Sequence, residues 1–173
     1  LHICTEQGAG TEIINIAQAV SDARTPFCTC CSTPCAKACY EGTLLDEAYR
    51  KVSEAHAVII GSPVYFGSMT AQLKAFFDKT RDIRASKKWV GIPAGVVSVG
   101  ATKYGGQEAA IQSIHACLMV EGMSVFGSGS AGFDAGHLGI GAHRPAMEDE
   151  FAKARCESMA HRALAEATKY RLT

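Results

Sequence analysis

Ala57-Val58-Ile59-Ile60-Gly61 is apolar at every position, with no polar residue alternating into it. Such a run predicts a strand buried on both faces, as in a parallel sheet covered by helices on each side. The flanking segments agree. Leu44, Leu45, Ala48 and Val52 before it, and Met69, Leu73, Phe76 and Phe77 after it, fall at helical spacing, with Ser68 placed to cap the second helix. A further strand is expected at Ala94–Val99, because Pro93 suits a central ladder poorly. A helix from about Gln107 to Glu121 follows, with Ala110, Ile111, Ile114 and Leu118 on one face. The β-branched run Thr11–Ala17 reads as an early strand and Met123–Phe126 as a short last one. Gly127 to Arg144 reads as a long loop with six glycines. The acidic run Glu148-Asp149-Glu150 then opens a final helix, where negative charge suits the positive end of the helix dipole. Ala152, Cys156, Met159, Ala160, Ala163 and Ala167 would form its buried stripe. Strict alternation of strand and helix predicts a single α/β domain over residues 1–173, a doubly wound parallel sheet in three layers.

Composition excludes several function classes. Hydrophobic residues make up 47% of the 173 and charged residues 20%, the balance of one compact soluble domain. Lys plus Arg equals Asp plus Glu at 17 each, so nothing suggests the basic face that nucleic acid requires. No apolar run approaches the roughly 20 residues that span a bilayer, and the polar start lacks a signal-peptide pattern. A cytoplasmic location is expected. The chain opens without Met, and its first nine residues read as the last turns of a helix ended by Gly8-Ala9-Gly10. A strand and loop preceding Leu1 are therefore expected to be missing.

In doubly wound sheets, ligands bind in the crevice beyond the carboxyl ends of the strands. Two loops fall there. After Ile60 comes Gly61-Ser62-Pro63-Val64-Tyr65-Phe66-Gly67-Ser68, with glycines that permit tight turns and two aromatics offering flat surface. Taken alone, it is equally an ordinary strand-to-helix turn with two core aromatics. After Val99 comes a glycine-bearing loop, Gly100 to Gly106. There is no nucleophile–base pair and no carboxylate pair, so no catalytic side chain is expected. The histidines are dispersed; His115 reads as packing or surface, and His137 as a candidate lining a substrate pocket. Lys79, Arg81, Arg84, Lys87 and Lys88 read as a solvated basic stretch, with attraction of a phosphorylated nicotinamide cofactor as the alternative.

The segment G-S-P-V-Y-F-G-S-M-T-A-Q-L-K-A-F-F-D-K-T, residues 61–80, closely resembles the signature of the NADPH-dependent FMN reductase group, which includes iron-sulfur flavoproteins and quinone reductases of the flavodoxin-like fold. S-V-G-A-T-K-Y-G-G-Q-E, residues 98–108, is similar to the same group's next strand-end loop. The resemblance implies FMN, with its isoalloxazine held by Ser62, Pro63, Val64, Tyr65, Phe66 and Gly67. On the ring's other side it implies Ser98, Gly100, Tyr104, Gly105 and Gly106. It also implies NAD(P)H as co-substrate, a quinone, small molecule or redox protein as acceptor, and a homodimer or homotetramer, with residues 127–144 as interface or lid. A non-enzymatic flavin and iron–sulfur electron carrier is the rival reading. The group's phosphate-binding loop has no counterpart in this sequence; its place lies before Leu1.

Eight cysteines are the compositional outlier, five of them between Cys28 and Cys39 in a Cys-rich insertion over residues 26–42. Cys28, Cys31, Cys35 and Cys39 supply four thiolates in a short irregular loop, as a four-iron four-sulfur centre requires. Zinc fits the same count, and free thiols or a reversible disulfide are a third reading. Iron-sulfur flavoproteins that resemble the chain carry a compact cluster motif at this topological place. Cys4, Cys117 and Cys156 read as buried apolar side chains.

Overall fold

The computed structural model describes residues 1–171. Its elements are α1 (His2–Glu6), α2 (Ile16–Asp22), α3 (Leu44–Glu54), β1 (Val58–Pro63), α4 (Ala71–Asp78), α5 (Arg81–Ala85), β2 (Pro93–Gly100), α6 (Gln107–Val120), β3 (Ser124–Val125), β4 (Ile140–His143) and α7 (Glu150–Arg171). Every strand pairing is parallel. β1 runs along one flank of β2, with Val58 beside Ala94 and Pro63 beside Val99. β3 and β4 share the other flank, β3 against Pro93 and Ala94, β4 against Val97 to Gly100. They are one strand in two pieces, with the chain leaving the sheet between them.

Alternation along β2 splits the core. Ala94 and Val96 face Leu45, Tyr49, Phe76, Trp89, Ile111 and Ile114 on the side covered by α2, α3, α4 and α6. Val97 and Val99 face the other way, with Ile140, Ala142, Ala152, Met159 and Ala163, under α7. The expected α/β/α layering is therefore present. Among the described residues no helix is long and apolar enough to cross a membrane.

Several expectations change. Residues 11–15 form no strand; Asn15 instead caps α2, its Oδ1 accepting from the Gln18 N–H at 3.1 Å. The cap ends the extended stretch, and Ile13 stays 79% exposed with no strand to pair with. β1 is buried on one face only, with Ile59 41% exposed, because α7 covers β2 and β4 and among the described residues no strand lies on β1's outer side. Thr70, not Ser68, caps α4. β4 lies inside the stretch read as loop. Its approach carries Gly139, where a Cβ would fall 2.5 Å from the Val96 carbonyl, so glycine here marks close strand contact. Cys156 is exposed on α7, and Arg155 and Ser158 take buried places in the stripe. Arg155 is held by both carboxylate oxygens of Asp134, the second at 2.6 Å, and its guanidinium lies 5.1 Å from the rings of Phe133 and Phe151. This ties the excursion between β3 and β4 to α7.

Asp149 caps α7, accepting from the Ala152 N–H at 3.0 Å and from the His143 N–H at 3.0 Å, with the His143 ring 2.6 Å away. The bond from Ala152, together with those from His143, holds its carboxyl below the usual range. A group whose pKa is lowered on folding stabilises above its unfolded pKa, and that stabilisation is lost as pH falls through the folded pKa. Asp149→Ala should therefore cost about 1 kcal/mol in denaturant unfolding near neutral pH. The difference from wild type should shrink as pH drops below the ordinary carboxylate range.

Candidate functional site

The carboxyl ends of β1 and β2 open into two loops that touch. Ladder bonding continues past β1, the Val64 N–H reaching the Val99 carbonyl at 2.9 Å. The chain then reverses at Tyr65–Ser68, which exchange backbone bonds of 3.0 and 3.1 Å. Phe66 (φ 49°) and Gly67 (φ 74°) occupy the two central positions, the left-handed pair of a type I′ turn. Phe66 adopts that conformation without being glycine, a strain of the sort kept at functional sites. Its side chain is fully exposed, as are most of Tyr65 and Tyr104. The Phe66 and Gly67 N–H groups take no part in the turn's bonds.

The second loop is shaped by a residue that sequence reading treated only as a helix start. Gln107 is buried; its Oε1 accepts from the Gly105 N–H at 2.8 Å, and its Nε2 donates to the carbonyls of Thr102 (2.6 Å) and Ala142 (3.1 Å). Gly100 makes room for it, since a Cβ there would lie 2.5 Å from Nε2. Gly106 packs on the first loop, where a Cβ would stand 3.2 Å from the Gly67 Cα. Both positions were expected from the cofactor side, but their immediate reason is packing. A glutamine directly after the glycine pair Gly105-Gly106 was the available signal.

Ser62 and Ser98 stand behind these walls. The Ser98 hydroxyl donates to the Ser62 carbonyl at 3.0 Å, and Ser62 Oγ accepts from the Thr70 N–H at 3.1 Å. Ser68 turns toward α6, 3.3 Å from Ser113 Oγ. Pro63, Val64, Tyr65, Phe66 and Gly67 are thus brought beside Gly105 and Gly106, with Tyr104 exposed on the second loop. His137 lies on the excursion, its ring 6.1 Å from Phe151. Burial lowers the His115 pKa, and among the described residues its Nε2 has no hydrogen-bond partner.

The cysteine loop lies between α2 and α3, away from these turns. All five thiols are free. Among the described residues no three His, Cys, Asp or Glu side chains stand close enough together to hold a metal ion, so Cys28, Cys31, Cys35 and Cys39 do not converge. Their chemistry and number suit a thiolate centre; their present spacing would require the loop to close. Cys28, Cys35 and Cys39 do share one neighbourhood. Burial raises the phenol pKa of both Tyr40 and Tyr49; the charge of Asp82 adds most to that of Tyr40, which Cys35 and Cys39 also raise, and Cys39 and Cys28 add to that of Tyr49. The rings pack edge to face at 5.0 Å. A cavity of about 220 Å³ opens beside them, lined by Lys37, Tyr40, Tyr49 and Asp82. The basic stretch is not uniformly solvated: Lys79 is fully buried, and Arg81 bonds to the cysteine loop.

A parallel sheet with paired glycine-bearing loops over its carboxyl edge defines a flavodoxin-like α/β protein. Solved structures agree on that fold. A flavodoxin, WrbA-like protein from Agrobacterium tumefaciens superposes with a TM-score of 0.61 at 17% identity, covering 98% of this chain and 90% of that one. An oxidoreductase from Corynebacterium diphtheriae gives 0.62 at 15% identity, covering 98% and 80%. Residues 1–137 match the family model described as NADPH-dependent FMN reductase. The chain belongs to that family of flavin-dependent NAD(P)H oxidoreductases. It is 36% identical over 146 residues to an iron-sulfur flavoprotein of Methanocaldococcus jannaschii, covering 82% of this chain and 72% of the relative. With the iron-sulfur flavoprotein of Methanosarcina thermophila it shares 41% over 109 residues, 61% of this chain and 52% of the relative. An NAD(P)H dehydrogenase (quinone) of Chromohalobacter salexigens is 38% identical over 76 residues, 44% of this chain and 38% of that protein. The chain thus spans about half or less of the last two.

Gln107→Ala should free the Gly100–Gly106 loop without unfolding the domain. Loss of hydrogen bonds worth about 1.4 kcal/mol would weaken FMN binding about tenfold, read by quenching of flavin fluorescence.

Proposed function

We propose that this protein is an FMN-dependent NAD(P)H oxidoreductase that passes electrons from a nicotinamide to a quinone, a small acceptor or an iron–sulfur centre. The observation that carries this reading is the meeting of the two strand-end loops at Gly67 and Gly106, with exposed Tyr65, Phe66 and Tyr104 around them. These residues fit a planar, partly apolar ring. The aromatics supply flat surface, and the uncommitted N–H groups of Phe66 and Gly67 supply donors for the ring's polar edge. Bound there, FMN would supply the hydride-accepting and electron-passing chemistry, which suits a crevice without an acid–base pair. Gln107 and Ser98 keep the walls in place from behind. A homodimer or homotetramer belongs to the same proposal, to be checked by light scattering.

The iron–sulfur part rests on the relatives named iron-sulfur flavoproteins and on four of the five free thiols of the loop, Cys28, Cys31, Cys35 and Cys39. Among the described residues those thiols do not converge. Bound iron and acid-labile sulfide after anaerobic reconstitution would support it. Zinc alone would replace it.

Purified protein mixed with FMN and desalted should show the flavin double absorbance band and oxidise NADPH or NADH with benzoquinone as acceptor. Bound FMN with no turnover on either nicotinamide would leave an electron carrier, and failure to retain FMN would sink the reading. Tyr65→Ala and Tyr104→Ala should each weaken FMN binding about tenfold, the loss of one ring contact. Because both side chains are exposed, the melting temperature of the flavin-free protein should not change.

A further inference from the structure

α6 ends on an acid that the fold keeps from water. Glu121, its C-terminal cap residue, is 7% exposed, and a carboxylate there would face the negative end of the helix dipole. It meets Thr80, in the link between α4 and α5. The Thr80 hydroxyl oxygen stands 2.6 Å from the Phe77 carbonyl and 2.6 Å from Glu121 Oε1. Both are hydrogen-bond distances, yet a hydroxyl has one hydrogen to give. The carbonyl can only accept, so Thr80 donates to Phe77. The bond to Glu121 then takes its proton from the carboxyl, with Thr80 Oγ1 accepting. With Glu121 ionised, one of the two short contacts would join two oxygens with no proton between them. The second carboxyl oxygen agrees: Glu121 Oε2 is buried and, among the described residues, has no hydrogen-bond partner. That is costly for a carboxylate and far less so for the carbonyl oxygen of a neutral acid.

The groups around Glu121 do not offset a charge on it. Arg84 on α5 is the cation set against it, but its Nε donates to the Val120 carbonyl at 3.0 Å. Burial raises the Glu121 pKa, and the Arg84 charge lowers it by less. Lys79, next to Thr80 in the chain, gives its ammonium to Thr25. Tyr49 on α3 and Cys117 on α6 are its titratable neighbours. Burial raises the pKa of both, so both stay neutral where a carboxyl titrates.

We infer that this arrangement is the carboxylic acid form of Glu121, and that Glu121 and Thr80 make a proton-dependent latch between the end of α6 and the α4–α5 link. With the proton present, two bonds run in series, Glu121 to Thr80 and Thr80 to Phe77. Once the carboxyl ionises, the single Thr80 hydrogen serves one partner only, and a buried charge is left at a helix C-terminus. The join then loosens. It holds the edge of the sheet where β2 and β3 begin: the Gly91 N–H bonds to the Gly122 carbonyl at 2.9 Å, and the Ser124 N–H to the Ile92 carbonyl at 3.0 Å. α6 runs 14 residues from Gln107 to this point, about 20 Å. The latch therefore lies at the edge opposite the strand-end loops and stands apart from the flavin reading.

The test compares wild type with Glu121→Gln, which keeps the shape, offers Thr80 an N–H donor and cannot ionise. Carboxyl carbon resonances of isotope-labelled glutamate are followed with pH, Glu121 being the one absent from the variant. Glu121 should titrate above the ordinary glutamate range. A carboxyl whose pKa is raised on folding stabilises the fold below its unfolded pKa, and that stability is lost as pH rises through the folded pKa. In denaturant unfolding, Glu121→Gln should therefore gain on wild type as pH rises through that window. The gain in folding constant is about tenfold for each pH unit between the unfolded and folded titrations. Amide exchange reads the latch itself. Protection at Arg84, whose N–H bonds to the Thr80 carbonyl, and at Gly91 should fall in wild type relative to the variant over the same window. A Glu121 that titrates within or below the ordinary range would overturn the inference. So would a variant that loses ground to wild type with rising pH, or equal protection of both amides throughout. Should Glu121→Gln fail to fold, a wild type with every glutamate titrating in the ordinary range would overturn it equally.

Discussion

β2 is paired along nearly its whole length with β1, and that ladder fixes where both strand-end loops begin. Ser62 stands beside Ser98 and Pro63 beside Val99, so the two strands end level and their loops leave the sheet together. The Val64 N–H, still bonded to the Val99 carbonyl, carries this register one residue into the first loop. A slip by one residue would turn Val97 and Val99 away from α7 and separate Gly67 from Gly106. The site is therefore a consequence of strand register before it is a matter of loop sequence.

Behind the loops, buried hydroxyls and one amide do the positioning. Ser98 bonds across to Ser62, Ser62 receives the Thr70 N–H at the start of α4, and Gln107 joins the second loop to β4. Each is buried where an unpaired polar group would be costly, so each holds its partners firmly. The exposed aromatics in front have no such duty. This division explains how Phe66 can be held in a left-handed conformation: the turn's paired bonds and the Gly67–Gly106 contact over-determine it.

The cysteine loop sits at the other end of the same helix. α4 starts beside the Tyr65–Ser68 turn and ends at Asp78, next to the buried Lys79 that bonds to Thr25 just before the cysteine loop. Eight residues of helix separate the two regions by about 12 Å. One short, well-packed helix thus fixes the spacing of the two candidate redox regions.

Local pattern alone determined the parallel α/β class and the two strand-end loops, because strand burial, helical period and residue chemistry are written in short stretches of chain. The buried helices α3 and α6 were legible for that reason, as was the acidic opening of α7. The tertiary structure decided what depends on distant neighbours. Among the described residues it left β1 with one strand neighbour and Ile59 open, turned Thr11–Asn15 from a strand into the approach to a helix cap, and recovered β4 from a glycine-rich stretch. There, glycine reports the closeness of Val96, a contact 43 residues away that no local window contains. It also placed Gln107 at the centre of the second loop and took Lys79 out of solvent. Charge and hydroxyl chemistry can be read from a sequence, but whether such a group faces water or a neighbour is set by packing.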